Sequence, residues 1–201
     1  MIIGYNEKVI YSISGKLVSK FEHFVVVEAA GLGLKVFVNK RTLGKLPSAG
    51  TDVKLFSYFY LREDGVELYG FVSESELRFF EMLISVSGVG PKSALTILDI
   101  AELKNLAAAI KEGRPDLLTK ASGIGRKTAE RIILELKSKV QSEKSEQVVR
   151  KMETDADLVE TLVGLGYRRE EVRAALSKVD EKIAGMEDRL KAALKVLSGK
   201  Y

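Results

Sequence analysis

The feature that most constrains this chain is a repeat: SGVGPKSA at Ser87–Ala94 returns as SGIGRKTA at Ser122–Ala129. In register, Leu83 matches Leu118, Val86 matches Ala121, Ser87 matches Ser122 and Gly88 matches Gly123. Val89 then matches Ile124, Gly90 matches Gly125, Lys92 matches Lys127 and Ser93 matches Thr128. A period of 35 residues with apolar positions on both flanks implies two copies of one supersecondary unit.

Gly-x-Gly between helical segments makes a tight turn, because its glycines can take φ > 0 and leave the backbone bare. A helix starting at once, at Pro91 in one copy and Arg126 in the other, would point its first N–H groups and the positive end of its dipole outward, toward an anion. Lys92 and Lys127 can add a cation, and Ser93 and Thr128 a hydroxyl. Val89 and Ile124 are expected to anchor each turn inward. None of these side chains suits the reading of a base edge. The expected ligand is therefore nucleic-acid backbone, gripped at two phosphates without regard to base sequence. A plain helical corner that uses glycine for packing would need some of the same residues. Duplication of the Lys and Ser/Thr offsets favours the phosphate reading.

Other chemistries fit poorly. Gly88-x-Gly90 lacks the third glycine and the βαβ frame of a dinucleotide site, and no Gly-Lys-Ser/Thr occurs, so no ATP hydrolysis is expected. Asp116 in GRPDLL is the one candidate for the aspartate a base-excision enzyme would need, but Pro115-Asp116 reads more simply as a helix start. The chain has no cysteine and one histidine, His23, beside an apolar strand; no disulfide, metal or cofactor is expected. Net charge is +4, with residues 1–70 and 71–141 each at +2 and residues 142–201 at zero, so the last third has no reason to seek phosphate. No apolar run approaches the ~18 residues of a membrane span, and MIIGYNEKVIYSISGK makes a poor signal peptide. A cytosolic protein without a membrane partner is the expectation.

The chain changes texture along its length. Within residues 1–72, five runs (VIYSISGKLVS, HFVVVEAA, LGLKVFVN, VKLFSYFYL and VELYGFV) are rich in β-branched and aromatic residues and separated by turn residues. Five short strands suit an oligonucleotide/oligosaccharide-binding (OB) barrel or an SH3-like barrel. Helical periodicity begins at residue 73, with Ser73 or Ser75 as N-cap, and continues to 140. Residues 141–152, QSEKSEQVVRKM, read as a short linker or a frayed extension of the preceding helix. Residues 153–201 read as a three-helix bundle, with Gly166 placed as a C-cap glycine. The fold class expected is thus β then α in several domains.

The order of parts, with LREDGVELYGF at 61–71, the paired SGVGPK and SGIGRKTAERI, and LVGLGY at 162–167, resembles the RuvA family, the Holliday-junction-binding subunits of the bacterial branch migration machinery. The resemblance runs from about Val9 to Tyr201. It implies an OB barrel, tandem helix-hairpin-helix motifs, a linker and a three-helix C-terminal domain. It also implies a homotetramer, in some cases doubled to an octamer, that holds a four-way junction open. A hexameric AAA+ motor, RuvB, is the implied partner, with the RuvC resolvase as a further one, in a bacterial cytoplasm. Glu63 and Asp64 would form an acidic pin whose carboxylates repel the crossing strands; by themselves they would be read as an ordinary polar turn. Leu162, Leu165 and Tyr167 would contact the motor, although all three could equally be core, and a division between the two roles is expected. Met1–Lys8 precede the usual family start, as an extension or because initiation lies at Val9.

Overall fold

The computed structural model describes residues 10–62, 65–142, 145–180, 183 and 185–199. Met1–Lys8 and the acidic pair Glu63 and Asp64 lie outside the described residues. The chain divides into two compact units, residues 1–141 and 142–201.

The first unit opens with the five strands expected from their composition: β1 (Ser12–Lys20), β2 (Phe24–Ala29), β3 (Leu32–Phe37), β4 (Asp52–Arg62) and β5 (Gly65–Phe71). They close into a barrel in the order β1-β2-β3-β5-β4, with β1 and β4 antiparallel and β3 and β5 meeting in parallel at Phe37 and Tyr69. This is the OB arrangement, which resolves the choice between barrel types. Closure leaves no open sheet edge. Inward residues Leu17, Val25, Val27, Val36 and Leu55 form a dry interior with Ile13, Val38, Leu46 and Leu68. A short helix, α1 (Lys40–Lys45), bridges β3 and β4; Asn39 caps it by accepting the Thr42 N–H at 2.7 Å. The sequence reading did not anticipate it, because six residues carry too little periodicity.

Helices α2 (Glu74–Ile84), α3 (Pro91–Ile100), α4 (Leu103–Lys111), α5 (Pro115–Leu118) and α6 (Arg126–Leu136) follow. Ser73, not Ser75, is the cap of α2, its hydroxyl accepting the Glu76 N–H at 3.2 Å. A second core joins this helical region to the barrel wall: Tyr69 and Phe71 from β5 pack with Leu77, Phe80 and Leu83 of α2 and with Ile97, Leu106, Ile110, Leu118 and Ile132. Phe80 alone lies within 5.4 Å, centroid to centroid, of Tyr58, Tyr69 and Phe71. Burying several aromatic rings at one seam fixes the helices on the barrel.

The second unit holds α7 (Ser145–Gly164), α8 (Arg169–Lys178) and α9 (Met186–Leu197). Here the sequence reading needs correction. Residues 145–152, expected as part of a linker, are the opening turns of α7. Their polar composition is that of an exposed helix face: Glu, Gln, Arg, Lys and Met are good helix formers, and Arg150 reaches Glu146 one turn back at 2.6 Å. The far end of α7 closes as a Schellman motif. The Tyr167 N–H donates to the Leu162 carbonyl at 3.1 Å, and the Gly166 N–H donates to Val163 at 3.0 Å, with Gly166 at φ +97°.

Leu158, Leu162, Val172, Leu176 and Ala193 make the bundle core. Beside it, Arg189 is buried at 0% exposure, its guanidinium donating to both Asp155 oxygens at 2.7 and 3.0 Å and to the Ile183 carbonyl at 2.7 Å. No helix among the described residues is long and apolar enough to cross a membrane.

Candidate nucleic-acid interface

The two hairpins have the same local structure, hydrogen bond for hydrogen bond. Val86 N–H donates to Leu83 and Val89 N–H to Val86, at 3.1 and 3.0 Å; Ala121 N–H donates to Leu118 and Ile124 N–H to Ala121, both at 3.1 Å. The first glycine of each turn is left-handed, Gly88 at φ +88° and Gly123 at +82°. A non-glycine residue there would bring Cβ against the adjoining carbonyl.

The second glycines differ from expectation. Gly90 (φ −86°, ψ 169°) and Gly125 (φ −79°, ψ 166°) are extended N-caps of α3 and α6, a conformation open to any residue. A Cβ at either position would meet no atom within 4 Å. Glycine is therefore not demanded there by the fold. It leaves space in front of a helix start that no side chain caps. Uncapped N–H groups facing an open approach are what an incoming phosphate requires.

Val89 and Ile124 are buried and belong to the second core, so each turn is anchored from below. Ser87, Gly88, Lys92, Ser122, Gly123, Arg126 and Lys127 are exposed, and Ser93 and Thr128 are half-buried at the first turns of their helices. The structure thus places all the sequence-derived hairpin residues at two equivalent mouths of one unit. The charges at those mouths are unequal. In the first, Lys92 Nζ lies 3.7 Å from Glu67 Oε1 on β5. In the second, Arg126 pairs with Glu130 at 2.9 Å, while Lys127 has no carboxylate within 4.0 Å among the described residues.

Three further residues shape the interface and were not found from sequence. Thr96 of α3 shares its single hydroxyl hydrogen between the Ser93 carbonyl at 2.8 Å and the Ser122 carbonyl at 3.3 Å, and Arg131 of α6 donates from Nη1 to the Ser87 carbonyl at 3.0 Å. Thr96 and Arg131 are themselves 35 residues apart, and so are Ser87 and Ser122. Each helix therefore holds the opposite hairpin, as a local two-fold relation requires. The repeat register was the available signal; the differing side chains at its equivalent positions concealed it. The third residue is Glu67, whose Oε2 accepts the hydroxyl of buried Tyr69. Burial first, then this hydrogen bond, pushes the Tyr69 phenol well above its usual range, so it remains a proton donor.

Asp116 sits in the first turn of α5, gripped by Arg114 through two 3.0 Å hydrogen bonds. The Arg114 hydrogen bond holds its carboxyl below the usual carboxylate range, which makes it a poor base. No group of three or more His, Cys, Asp or Glu side chains that could hold a metal occurs among the described residues.

The remaining sequence-derived residues are the acidic pair and three positions of the second unit. Glu63 and Asp64 are outside the described residues, between Arg62 and Gly65, which are register partners across β4 and β5. In the second unit, Leu162 is fully buried core, Leu165 is 67% exposed, and Tyr167 is half-buried against the bundle. Of these three, Leu165 and the open part of Tyr167 can meet another molecule.

Family models match along the chain in the same order. Residues 10–70 match the RuvA N terminal domain, 80–138 the SAM-like helix-hairpin-helix tandem, and 155–198 the RuvA C-terminal domain. A protein of Caldanaerobacter subterraneus subsp. tengcongensis, named Holliday junction branch migration complex subunit RuvA, is 45% identical over 175 residues, covering 87% of this chain and 91% of that protein. Proteins of the same name from Clostridium botulinum strain Hall and Thermoanaerobacter sp. strain X514 are 38% identical over 192 residues and 45% over 176. These cover 92% and 88% of this chain, and 97% and 92% of the relatives. With the barrel, the tandem hairpins and the C-terminal helices in the same order, the chain belongs to the RuvA family.

Proposed function

We propose that this chain binds four-way DNA junctions through their phosphate backbone, independently of base sequence, as a non-catalytic subunit of a branch migration complex. The observation that carries this reading is the pair of structurally equivalent hairpin mouths. Each has a left-handed glycine, an uncapped helix start and a basic residue, and reciprocal hydrogen bonds hold the two together. Two fixed mouths can take two phosphates of a duplex, while nothing in them reads a base edge.

Junction selectivity comes from elsewhere. Four copies around one axis would bring four Glu63-Asp64 pairs to the centre. Carboxylates there repel phosphate, push the crossing strands apart and disfavour uninterrupted duplex. A homotetramer, or two stacked as an octamer, is therefore part of the proposal. The exposed Leu165 with the open edge of Tyr167, on a unit of zero net charge, suits a protein partner better than DNA. That partner is the RuvB AAA+ motor, which supplies ATP hydrolysis; RuvC resolvase would act on the same junction. The setting proposed is the bacterial cytoplasm.

Competition between a four-way junction and linear duplex of equal length, at controlled salt, tests the reading. The junction should win by more than tenfold, and equal affinities would overturn it. Loss of both Glu63 and Asp64 charges should preserve or raise binding to duplex while reducing the junction preference. The mass of the assembly with and without junction should be that of four or eight chains.

A further inference from the structure

The two matching lysines, Lys92 and Lys127, do not have the same electrostatic surroundings, and that difference lies on the barrel. Glu67 is on β5, and its side chain is 21% exposed; Tyr69, two residues on, donates its buried hydroxyl to Oε2. The other oxygen, Oε1, faces Lys92 Nζ at 3.7 Å, while the Lys92 side chain is 76% exposed. One partner is thus held by a buried hydroxyl and the other extends into water. The second mouth has no such acid beside Lys127 among the described residues.

We infer that Glu67 holds Lys92 back from phosphate, making the first hairpin the weaker of the two grips and the second hairpin the principal one. This rests on the reading that both hairpins bind DNA backbone. The pinned carboxylate and Lys92 form an exposed pair that separates at small cost. Phosphate can therefore still draw the lysine away, at reduced net gain. A subunit whose DNA must slide past it gains from one grip that releases easily, because every phosphate held adds to the barrier to moving by one step. Glu67 acts through Lys92, as a positioning residue, and touches no phosphate itself.

The test uses the full-length protein and a labelled linear duplex, with affinity measured by fluorescence anisotropy across a salt series. Lys127→Ala should weaken binding more than Lys92→Ala and lower the salt slope by about 1. Glu67→Gln should tighten binding about two- to fivefold, the worth of one exposed ion pair, and should raise the cost of Lys92→Ala to that of Lys127→Ala. Tyr69→Phe, which keeps the buried ring and frees the carboxylate, should give part of the same gain. In the Lys92→Ala background, Glu67→Gln should do nothing. Unchanged affinity for Glu67→Gln would overturn the inference, as would an equal gain with Lys92 absent, which would mean direct repulsion of DNA. If neither lysine substitution weakens binding, it is the hairpin reading that fails, whatever Glu67 does.

Discussion

Arg131 Nη1 donates a 3.0 Å hydrogen bond to the carbonyl of Ser87, the residue that enters the first hairpin turn. Its repeat equivalent, Thr96, makes the corresponding but longer contact with Ser122 at 3.3 Å, sharing a hydroxyl hydrogen that also meets the Ser93 carbonyl at 2.8 Å. A tandem motif is useful only if its two mouths keep a spacing that matches successive phosphates. Here that spacing is tied at the turns themselves.

Removing both ties should therefore cost binding beyond the stability lost. For Thr96→Val with Arg131→Met, the expected destabilisation is about 1–2 kcal/mol by urea denaturation, and duplex affinity should fall about three- to tenfold. If the salt slope stays within ~0.5 of the parent, the loss belongs to spacing and not to a missing phosphate contact.

The two glycines of each turn should separate stability from binding. Gly88→Ala or Gly123→Ala places a side chain at φ +88° or +82° and should cost about 1–2 kcal/mol in thermal unfolding. Gly90→Ser or Gly125→Ser adds a Cβ with no atom within 4 Å and supplies a better N-cap, so stability should hold or rise by a few tenths of a kcal/mol. Those serine variants should nonetheless bind DNA less well, because the hydroxyl caps N–H groups the phosphate would use. Undiminished binding would show that the phosphate approaches elsewhere.

In the C-terminal bundle, Arg189→Met should be severe. It leaves Asp155 and the Ile183 carbonyl without their donor, and the expected loss is about 3 kcal/mol in the unfolding of that unit. Pairing it with Asp155→Leu should recover a large part, since an apolar pair strands no charge. Calorimetry of the three variants measures this. Failure of the double variant to recover would assign the cost to packing.

Asp116 offers a pH test. Arg114 lowers its folded-state pKa below the ordinary 3.8. A carboxylate depressed in this way stabilises the fold above pH 3.8 and loses that contribution as pH falls through the lower folded value. With its side chain 55% exposed, the pair is worth less than about 1 kcal/mol. Asp116→Asn should then be slightly less stable than the parent at pH 7, with the difference shrinking as pH falls below 3.8, by urea denaturation across that range. A difference that persists in acid would mean that the side chain matters for reasons other than charge.

Much of the fold could be read directly. The five strand runs, the helix starts at Pro91, Pro115 and Arg126, and the C-cap at Gly166 all rest on local rules of alternation, capping and backbone freedom. The linker reading failed because solvated helix and flexible linker share one composition; only the continuous hydrogen bonding of α7 separates them. Leu162 and Leu165 show the same limit at single-residue scale. Both are leucines in LVGLGY, yet the last turn of α7 sends one inward and its Schellman closure leaves the other in water.

The pair of hairpins was legible from the amino-acid order alone, down to which residues face the core and which face outward, because a glycine turn and a helix start are set by neighbours a few residues away. Tertiary structure decided the rest of the interface. Arg131 meets Ser87 across 44 residues, and Glu67 meets Lys92 from another element; no local rule brings such pairs together. They arise because the two repeats pack about a local two-fold and because the aromatic seam of Tyr69, Phe71 and Phe80 seats the helices on the barrel wall. Two copies that are nearly the same in sequence thereby acquire different electrostatic surroundings.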